Sequence, residues 1–260
     1  QTDTIVGKTI TYEDLKAQGV DGIFIATGVG VANYMGIPGE DLKGVYTASE
    51  YLAKYNLMSP EELAEALPSL RGKRVAVIGG GNTAIDAVRT AIRLDAKQAT
   101  IVYRRSEEEM PARAEEIKHA REEGTEFFNL HNPVEYLGDE SGHVTAMRLE
   151  RMELGAPDES GRRRPVATGE IITVPVDEVI ICIGYSASTL VTKSMPELEV
   201  NKWGNIVVDE SKKTSMPDVY AGGDIVRGAA TVILAMGDGR RAATAMHQKL
   251  SGRIEEGALV

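Results

Sequence analysis

Cysteine is almost absent from this chain of 260 residues, and its absence excludes several kinds of site. Cys182 is the single cysteine. The chain therefore cannot form an intramolecular disulfide, a redox-active Cys-x-x-Cys pair or a cysteine-ligated iron–sulfur cluster. Cys182 lies within the apolar run 179–183, which predicts a strand. This position favours a buried structural thiol over a nucleophile, because nothing around it would lower its pKa.

Long hydrophobic runs, clustered histidines and an excess of positive charge are also missing. No stretch is apolar for long enough to cross a bilayer and no signal peptide is recognisable, so we expect a soluble cytoplasmic protein with no membrane attachment. The net charge is −10 and the basic residues are dispersed, so no nucleic-acid partner is expected. The four histidines are His119, His131, His143 and His247. None has metal-ligand spacing with another, so no metal site is predicted.

A glycine-rich loop at 79–81 is the most informative feature that is present. It follows an apolar strand-like run at 75–78 and precedes a segment with apolar residues at helical spacing. Gly79 can supply a tight turn, Gly81 lets the backbone approach a pyrophosphate, and Ala84 fills the last small position of the G-x-G-x-x-G/A pattern. The phosphates would lie at the free N–H groups of the helix N-terminus. The run therefore predicts a dinucleotide-binding loop.

Two arginines indicate which dinucleotide is bound. In this fold the second strand ends near the adenosine ribose, where an acidic residue would accept a hydrogen bond from the 2′-hydroxyl. The strand-like run 99–103 is followed instead by Arg104 and Arg105. Forked, permanently charged guanidinium groups suit a 2′-phosphate. The alternative is a solvated pair of surface arginines, which the dinucleotide loop upstream disfavours. The two arginines therefore favour NADPH over NADH.

The rest of the chain alternates strand-like and helix-like segments, and its length allows one large or two modest domains. We expect strands at 5–10 and 206–209, a short helix opened by a capping box at Thr11, and a final helix at 230–250. The acidic run 107–109 and the pair Asp177 and Glu178 look like solvated faces, and the basic run 162–164 looks like a solvated hairpin tip.

Four motifs occur in the order found in flavoprotein reductases with two dinucleotide-binding domains. They are Ala26-Thr27-Gly28, the glycine loop with its helix at 79–86, Tyr103-Arg104-Arg105-Ser106 and Ala221-Gly222-Gly223-Asp224. The longer runs 103–113, 119–124 and 154–163 resemble the NADPH-dependent glutamate synthase small (β) subunit and its close relatives. The resemblance covers nearly the whole chain.

This resemblance implies an α/β fold and a two-cofactor enzyme. A Rossmann-like NADPH-binding domain of the three-layer ββα type, residues 72–184, would be inserted into a partial FAD-binding domain formed by 1–71 and 185–260. In that family NADPH gives a hydride to FAD, and electrons pass on to a partner. In glutamate synthase these electrons serve the synthesis of glutamate, and the implied partner is the large subunit or another electron-accepting protein.

The resemblance also implies which residues contact the cofactors. The implied NADPH contacts are Gly79, Gly80, Gly81, Asn82, Thr83, Ala84, Arg104, Arg105 and Arg113. The flanking segments supply the other implied contacts, chiefly to FAD: Thr27, Gly28, Gly184, Gly223, Asp224, Ala230, Thr231 and Val232. No catalytic acid, base or nucleophile is predicted, because the cofactors supply the chemistry of hydride transfer.

Some alternatives stay open. The family's first FAD loop and its cysteine-rich region lie upstream of anything in this sequence, which leaves FAD binding by this chain undecided. Whether the chain forms a homo-oligomer is also left open by the sequence. A ferredoxin- or pyrimidine-linked NADPH:acceptor reductase module, or a dinucleotide-binding scaffold without turnover, are the rival functions. Thioredoxin reductase is disfavoured because the chain has no Cys-x-x-Cys pair.

Overall fold

The computed structural model describes residues 1–59, 62, 69–159 and 161–252, and its contacts divide the chain into two compact units. The terminal unit combines Gln1–Val31 with the chain from Tyr185 onward, and the central unit is Ala32–Gly184. The central unit thus begins before the predicted domain boundary at 72 and ends at the predicted boundary at 184. Residues 60, 61 and 63–68 of the predicted first segment lie outside the described residues. The assignment of cofactors to these segments stays a prediction.

The terminal unit begins with a short helix and a short strand. Helix α1, Tyr12–Ala17, starts at the predicted capping box: the Thr11 hydroxyl accepts from the Asp14 N–H, and the Asp14 carboxylate accepts from the Thr11 N–H. Strand β1, Ile23–Ile25, follows. The chain then crosses to the central unit through strand β2, Val31–Ala32.

A parallel sheet forms the middle of the central unit. Its first elements, in chain order, are β3 Val45–Thr47, α2 Ala48–Leu57, β4 Arg74–Ile78, α3 Asn82–Arg93, β5 Gln98–Tyr103, α4 Ala114–Glu122 and β6 Glu126–Asn129. The later ones are β7 His131–Gly138, β8 Val144–Pro157, β9 Arg163–Pro175 and β10 Glu178–Ile181. The parallel sheet has the order β3-β10-β4-β5-β6, and β7, β8 and β9 form a separate antiparallel sheet.

Burial on both faces of the parallel sheet produces three layers. On one face Val75 and Val77 of β4 pack with Ile85 and Val88 of α3 in a cluster of buried residues. On the other face Ile78 and its neighbours pack against the antiparallel sheet, where Leu149 is fully buried. Strands covered on both sides read as continuous apolar runs, which explains the sequence of β4. The predicted three-layer α/β arrangement is confirmed.

The remaining elements belong to the terminal unit. They are β11 Tyr185–Ser186, α5 Thr189–Ser194, β12 Val219–Ala221, α6 Asp224–Arg227 and α7 Val232–Leu250. Strands β1 and β12 pair in parallel, with Ile23 opposite Val219 and Ile25 opposite Ala221. This pairing brings the segments that follow both strands to the same end of the unit.

Two predicted strands are wrong. Residues 5–10 form a turn with an isolated bridge between Val6 and Ile10, because Gly7 has a φ of 91° and the Ile5 carbonyl accepts from Lys8 and Thr9. The segment 206–209 contains only an isolated bridge at Ile206. Apolar runs of this length do not by themselves distinguish a strand from a packed loop.

Two acidic residues predicted to be solvated are instead buried. Glu178 is 1% exposed and pairs with Lys73, with His143 Nε2 3.7 Å from its carboxylate. Glu109 is 6% exposed and pairs with Arg163. Burial raises the pKa of Glu178, whereas the Ser106 hydroxyl and the Arg163 guanidinium outweigh burial and lower the pKa of Glu109.

Candidate functional site

The glycine loop of the central unit joins the end of β4 to α3, and each glycine has a different reason to be there. Gly79 has a φ of 140°, and a Cβ on it would collide with the carbonyl oxygen of Cys182. A Cβ on Gly80 would lie 2.8 Å from the ring of Tyr103. A Cβ on Gly81 would meet nothing closer than Pro111, at 4.0 Å. The first two positions require glycine because a side chain there would clash with neighbouring protein atoms. The third position has open space beside it, where a ligand can approach the backbone.

The N-terminus of α3 is suited to an anion. Its N-cap is Gly81, which makes no side-chain cap hydrogen bond, and its first turn contains no acidic residue. The N-caps of α1, α2 and α7 are by contrast threonines whose side chains accept from backbone N–H groups. An uncapped helix N-terminus presents N–H groups and a positive partial charge. Ala84, fully buried, packs the helix against the sheet.

The segment after the 3₁₀ turn at Glu107–Glu109 lies over this loop. The Asn82 Oδ1 atom accepts from the backbone N–H of Arg113 at 3.0 Å, and the Gly80 carbonyl accepts from the N–H of Ala112 at 3.1 Å. Arg113 is exposed, and Thr83 is half-buried in the first turn of α3. The structure therefore brings the predicted loop residues and Arg113 together.

The two predicted phosphate-binding arginines have different surroundings. Both follow β5, which lies beside β4 in the sheet. Arg104 is exposed, and within the described residues its side chain makes no hydrogen bond or ion pair. Arg105 is buried, and its guanidinium donates to the carbonyl oxygen of Arg163 at 2.7 Å and to the Asp158 carboxylate at 2.8 Å. A phosphate at Arg105 would have to compete with Asp158.

In the terminal unit, a groove of about 260 Å³ collects most of the other predicted residues. The predicted residues that line it are Gly28, Gly223, Asp224, Ala230, Thr231 and Val232. Phe24, Ala26, Gly222 and Ala235 complete the lining. The groove lies where β1 and β12 end side by side, and the Gly222 N–H donates to the Ile25 carbonyl at 3.1 Å. The charged residue in this lining is the half-buried Asp224, whose Oδ1 accepts from the Ala230 N–H at 3.2 Å.

Two predicted residues lie elsewhere. Thr27 lines a separate apolar hollow of the terminal unit, together with Ile5, Ile25 and Val191. Gly184, with a φ of 96°, ends the central unit, and its carbonyl accepts from the Asn33 N–H at 3.1 Å. Neither is part of the groove or of the glycine loop as the structure describes them.

A buried carboxylate that the sequence analysis missed fixes the Gly222–Asp224 turn. Asp238 of α7 is 0% exposed and accepts from Arg227 twice at 2.6 Å and from the Gly223 N–H at 3.2 Å. Lys212, which has a φ of 70°, lies 3.0 Å from the same carboxylate. These partners, Arg227 foremost, hold the pKa of Asp238 far below its usual range. In the sequence Asp238 lies between Gly237 and Gly239, a context that does not indicate a buried ion pair.

Other chemistry is limited in the part of the chain that is described. No three residues among His, Cys, Asp and Glu come together in a way that could hold a metal ion there. No helix in the same residues has both the length and the apolar character needed to cross a membrane. Burial raises the pKa of the Cys182 thiol, which fits a structural cysteine.

Comparison with known proteins identifies the family. Residues 2–247 match the sequence pattern described as pyridine nucleotide-disulphide oxidoreductase. The chain belongs to the pyridine nucleotide-disulphide oxidoreductase family. The match spans both units, so the glycine loop and the Asp224 groove lie within one family pattern.

Individual relatives agree with this assignment. The chain is 42% identical, over 95% of its length, to the NADP(+)-dependent formate dehydrogenase subunit beta of Moorella thermoacetica, and covers 34% of that protein. It is 38% identical, over 93% of its length, to the glutamate synthase [NADPH] small chain of Escherichia coli K12, and covers 52% of it. The predicted resemblance to glutamate synthase small subunits is confirmed. The chain spans about a third to about half of the length of these curated relatives.

Solved structures share this fold. FprA of Mycobacterium tuberculosis in complex with NADPH superimposes with a TM-score of 0.77 at 20% identity, over 98% of this chain and 70% of that one. Thioredoxin reductase of T. acidophilum gives a TM-score of 0.67 at 24% identity, over 88% of this chain and 66% of that one. At these identities the likeness concerns the fold alone.

Proposed function

We propose that this chain is the NADPH-binding portion of a flavoprotein oxidoreductase, which transfers hydride from NADPH to FAD and electrons onward to a partner. The observation that carries the proposal is the glycine loop before an uncapped, acid-free helix N-terminus, with the exposed Arg104 at the end of the neighbouring strand. That combination suits a pyrophosphate and a second phosphate close to it. Membership of the oxidoreductase family supports it.

The proposed NADPH contacts divide by the part of the ligand they serve. Gly81 and the first N–H groups of α3 would bind the pyrophosphate, with Thr83 adding a hydroxyl donor. Arg104 would bind the 2′-phosphate, and Arg113, held over the loop by Asn82, is the second candidate cation. Gly79, Gly80 and Ala84 would act through packing, because a larger side chain at either glycine meets protein atoms.

The groove of the terminal unit fits part of an FAD molecule. Asp224 offers a carboxylate acceptor for hydroxyl groups of a ribityl chain. Gly28 and Gly223 line the groove without side chains, so a ligand can approach the backbone there. Ala230, Thr231 and Val232 are exposed along one side, where an apolar ring could pack. Bound there, FAD would supply a two-electron acceptor for the hydride. This chain's own residues would bind and orient the cofactor, and we assign no acid, base or nucleophile.

The units suggest how these roles divide along the chain. We assign NADPH to the central unit, and FAD to the terminal unit formed by 1–31 and 185–252, a narrower first segment than the predicted 1–71. The partner would be a glutamate synthase large subunit or another electron-accepting protein. Relatives named as a glutamate synthase small chain and as a formate dehydrogenase subunit support a protein partner of this kind.

Calorimetric titration with NADPH and with NADH tests the proposal. We expect NADPH to bind at least tenfold more tightly, a difference of about 1.4 kcal/mol, and Arg104→Ala to abolish that preference. The absorbance spectrum of FAD mixed with the chain should differ from that of free FAD, and Asp224→Ala should reduce this difference. Binding of NADPH without FAD would reduce the proposal to a dinucleotide-binding module. Binding of neither would refute it.

A further inference from the structure

The tip of the β8–β9 hairpin reaches the loop that follows β5. These are the longest strands of the central unit, 14 and 13 residues, and they end next to Arg105. The Arg105 side chain is 8% exposed, and both ends of its guanidinium are used: Nε donates to the Arg163 carbonyl at 2.7 Å and Nη2 to Asp158 at 2.8 Å. Arg105 is therefore a bridge between two parts of the central unit.

A second arginine makes the reverse connection. Arg163, in the hairpin, donates to Glu109, which is almost fully buried, and to Glu108 at 2.7 Å. The Ser106 hydroxyl also donates to Glu109. Two interlocked arginine–carboxylate pairs thus join the loop 105–109 to the hairpin tip. Removal of one member of such a pair leaves a charge without its partner, which costs more than the loss of a surface contact.

The backbone fixes Arg105 as well. Its carbonyl accepts from the Leu130 N–H at 3.1 Å, and Leu130 in turn accepts from the Met152 N–H of β8 at 2.7 Å. Leu130 has a φ of 58°, a conformation that non-glycine residues rarely adopt. Arg104, one residue earlier, has none of these contacts and extends from the loop into solvent.

We infer that of the two adjacent arginines Arg104 contacts the 2′-phosphate, and that Arg105 is a positioning residue that ties the hairpin tip to the loop through Asp158 and the Arg163 backbone. The inference rests on the proposed function for its ligand, a 2′-phosphorylated dinucleotide. Its new element is the tether. Asp158 and Arg163, in a distant part of the sequence, would set the conformation in which the loop presents Arg104.

Four single variants separate the tether from direct phosphate contact. We expect Arg104→Ala to weaken NADPH binding at least tenfold, with NADH binding and amide exchange at 158, 159 and 161–163 unchanged. Arg105→Ala and Asp158→Ala should resemble each other: both should accelerate exchange at the hairpin tip and weaken NADPH binding by a similar factor, smaller than that of Arg104→Ala, with NADH binding unchanged. The exposed Arg164→Ala is the control on the same hairpin and should change neither property.

A double variant and a milder one complete the test. If the tether is correct, Arg105→Ala combined with Asp158→Ala should accelerate exchange by less than the two single effects combined, because each single change already breaks the shared ion pair. Asp158→Asn provides the same comparison if Arg105→Ala fails to fold. Weaker NADPH binding in Arg105→Ala together with tighter NADPH binding in Asp158→Asn would overturn the inference and make Arg105 a phosphate ligand, because the tether requires both changes to weaken binding.

Failure of the proposed function gives a different result. If the unmodified chain binds neither nucleotide, the phosphate assignment of Arg104 fails together with the proposed function. Amide exchange at 158, 159 and 161–163 does not depend on a ligand and still decides the tether. Unchanged exchange in both Arg105→Ala and Asp158→Ala would refute it.

Discussion

Two neighbouring glycines of the loop are expected to respond differently to the same small substitution. Gly80→Ala places a methyl group 2.8 Å from the buried Tyr103 ring and should cost about 1–3 kcal/mol of stability. Gly81→Ala meets open space at a φ of −89°, which alanine tolerates. We expect its stability to change by less than about 0.5 kcal/mol while NADPH affinity falls at least tenfold. Urea unfolding and nucleotide titration measure the two effects. Equal destabilisation by both changes would contradict the packing argument.

Asp238 provides a second prediction at the scale of a single residue. Asp238→Asn removes the charge that compensates Arg227 and Lys212 and leaves both cations beside a buried neutral amide. Breaking a buried ion pair in this way should lower the free energy of unfolding by about 3 kcal/mol. Urea unfolding at neutral pH tests this. Arg240→Ala, an exposed position on the same helix, is the matched control and should stay within about 0.5 kcal/mol.

At the scale of elements, the central strands could be predicted from sequence and several edge features could not. The predicted strands around 75–78, 99–103 and 179–183 are present because strands buried on both faces require long apolar runs. Strand β3 was missed because three residues carry no measurable period. It pairs with β10, and this pairing explains why the central unit begins at Ala32 and not at the predicted boundary, residue 72.

The candidate site shows the same contrast between local and long-range information. The glycine loop and Asp224 were predictable, because a strand, a turn and a helix in sequence determine their positions. The different surroundings of Arg104 and Arg105 were not, because Asp158 and Arg163 lie more than fifty residues away in sequence and contact Arg105 only in the folded unit. Asp238 lies only 15 residues from Gly223 in sequence, but its contact with the Gly223 N–H likewise exists only in the folded unit.

The contact between β4 and the turn before β10 gives a prediction for pH dependence. Arg74 donates to Asp177 from its side chain and its backbone, and these bonds hold the pKa of Asp177 at about 2. A carboxyl whose pKa is lowered by folding stabilises the fold above its unfolded pKa, near 4, and loses this contribution as the pH falls through about 2. Because the pair is about one-third exposed, we expect about 1 kcal/mol.

Asp177→Asn tests this contribution. Urea unfolding between pH 2 and pH 7 should show the variant less stable by about 1 kcal/mol at pH 7, with the difference shrinking as the pH falls from about 4 to about 2. Glu126→Gln, an exposed carboxyl at the start of β6, is the control. A difference that is independent of pH would show that packing, not the charge of Asp177, stabilises the contact.

At the scale of the whole molecule, the division into two compact units predicts which amides each cofactor protects from exchange. A ligand that binds only the folded state adds about 2.7 kcal/mol of stability at a hundredfold excess over its Kd. If NADPH binds at the glycine loop, the added protection should be concentrated in 32–184, above all in α3 and the loop 104–113. FAD should protect 23–28 and 222–235 instead. Hydrogen exchange with each cofactor separately measures this, with NADH as the control for the 2′-phosphate.

Protection by NADPH confined to 222–235 would move the dinucleotide site to the terminal unit and refute the assignment to the glycine loop. Protection of both units by either cofactor alone would instead mean that the two compact units unfold together as one cooperative unit, because exchange reports the residues that open together.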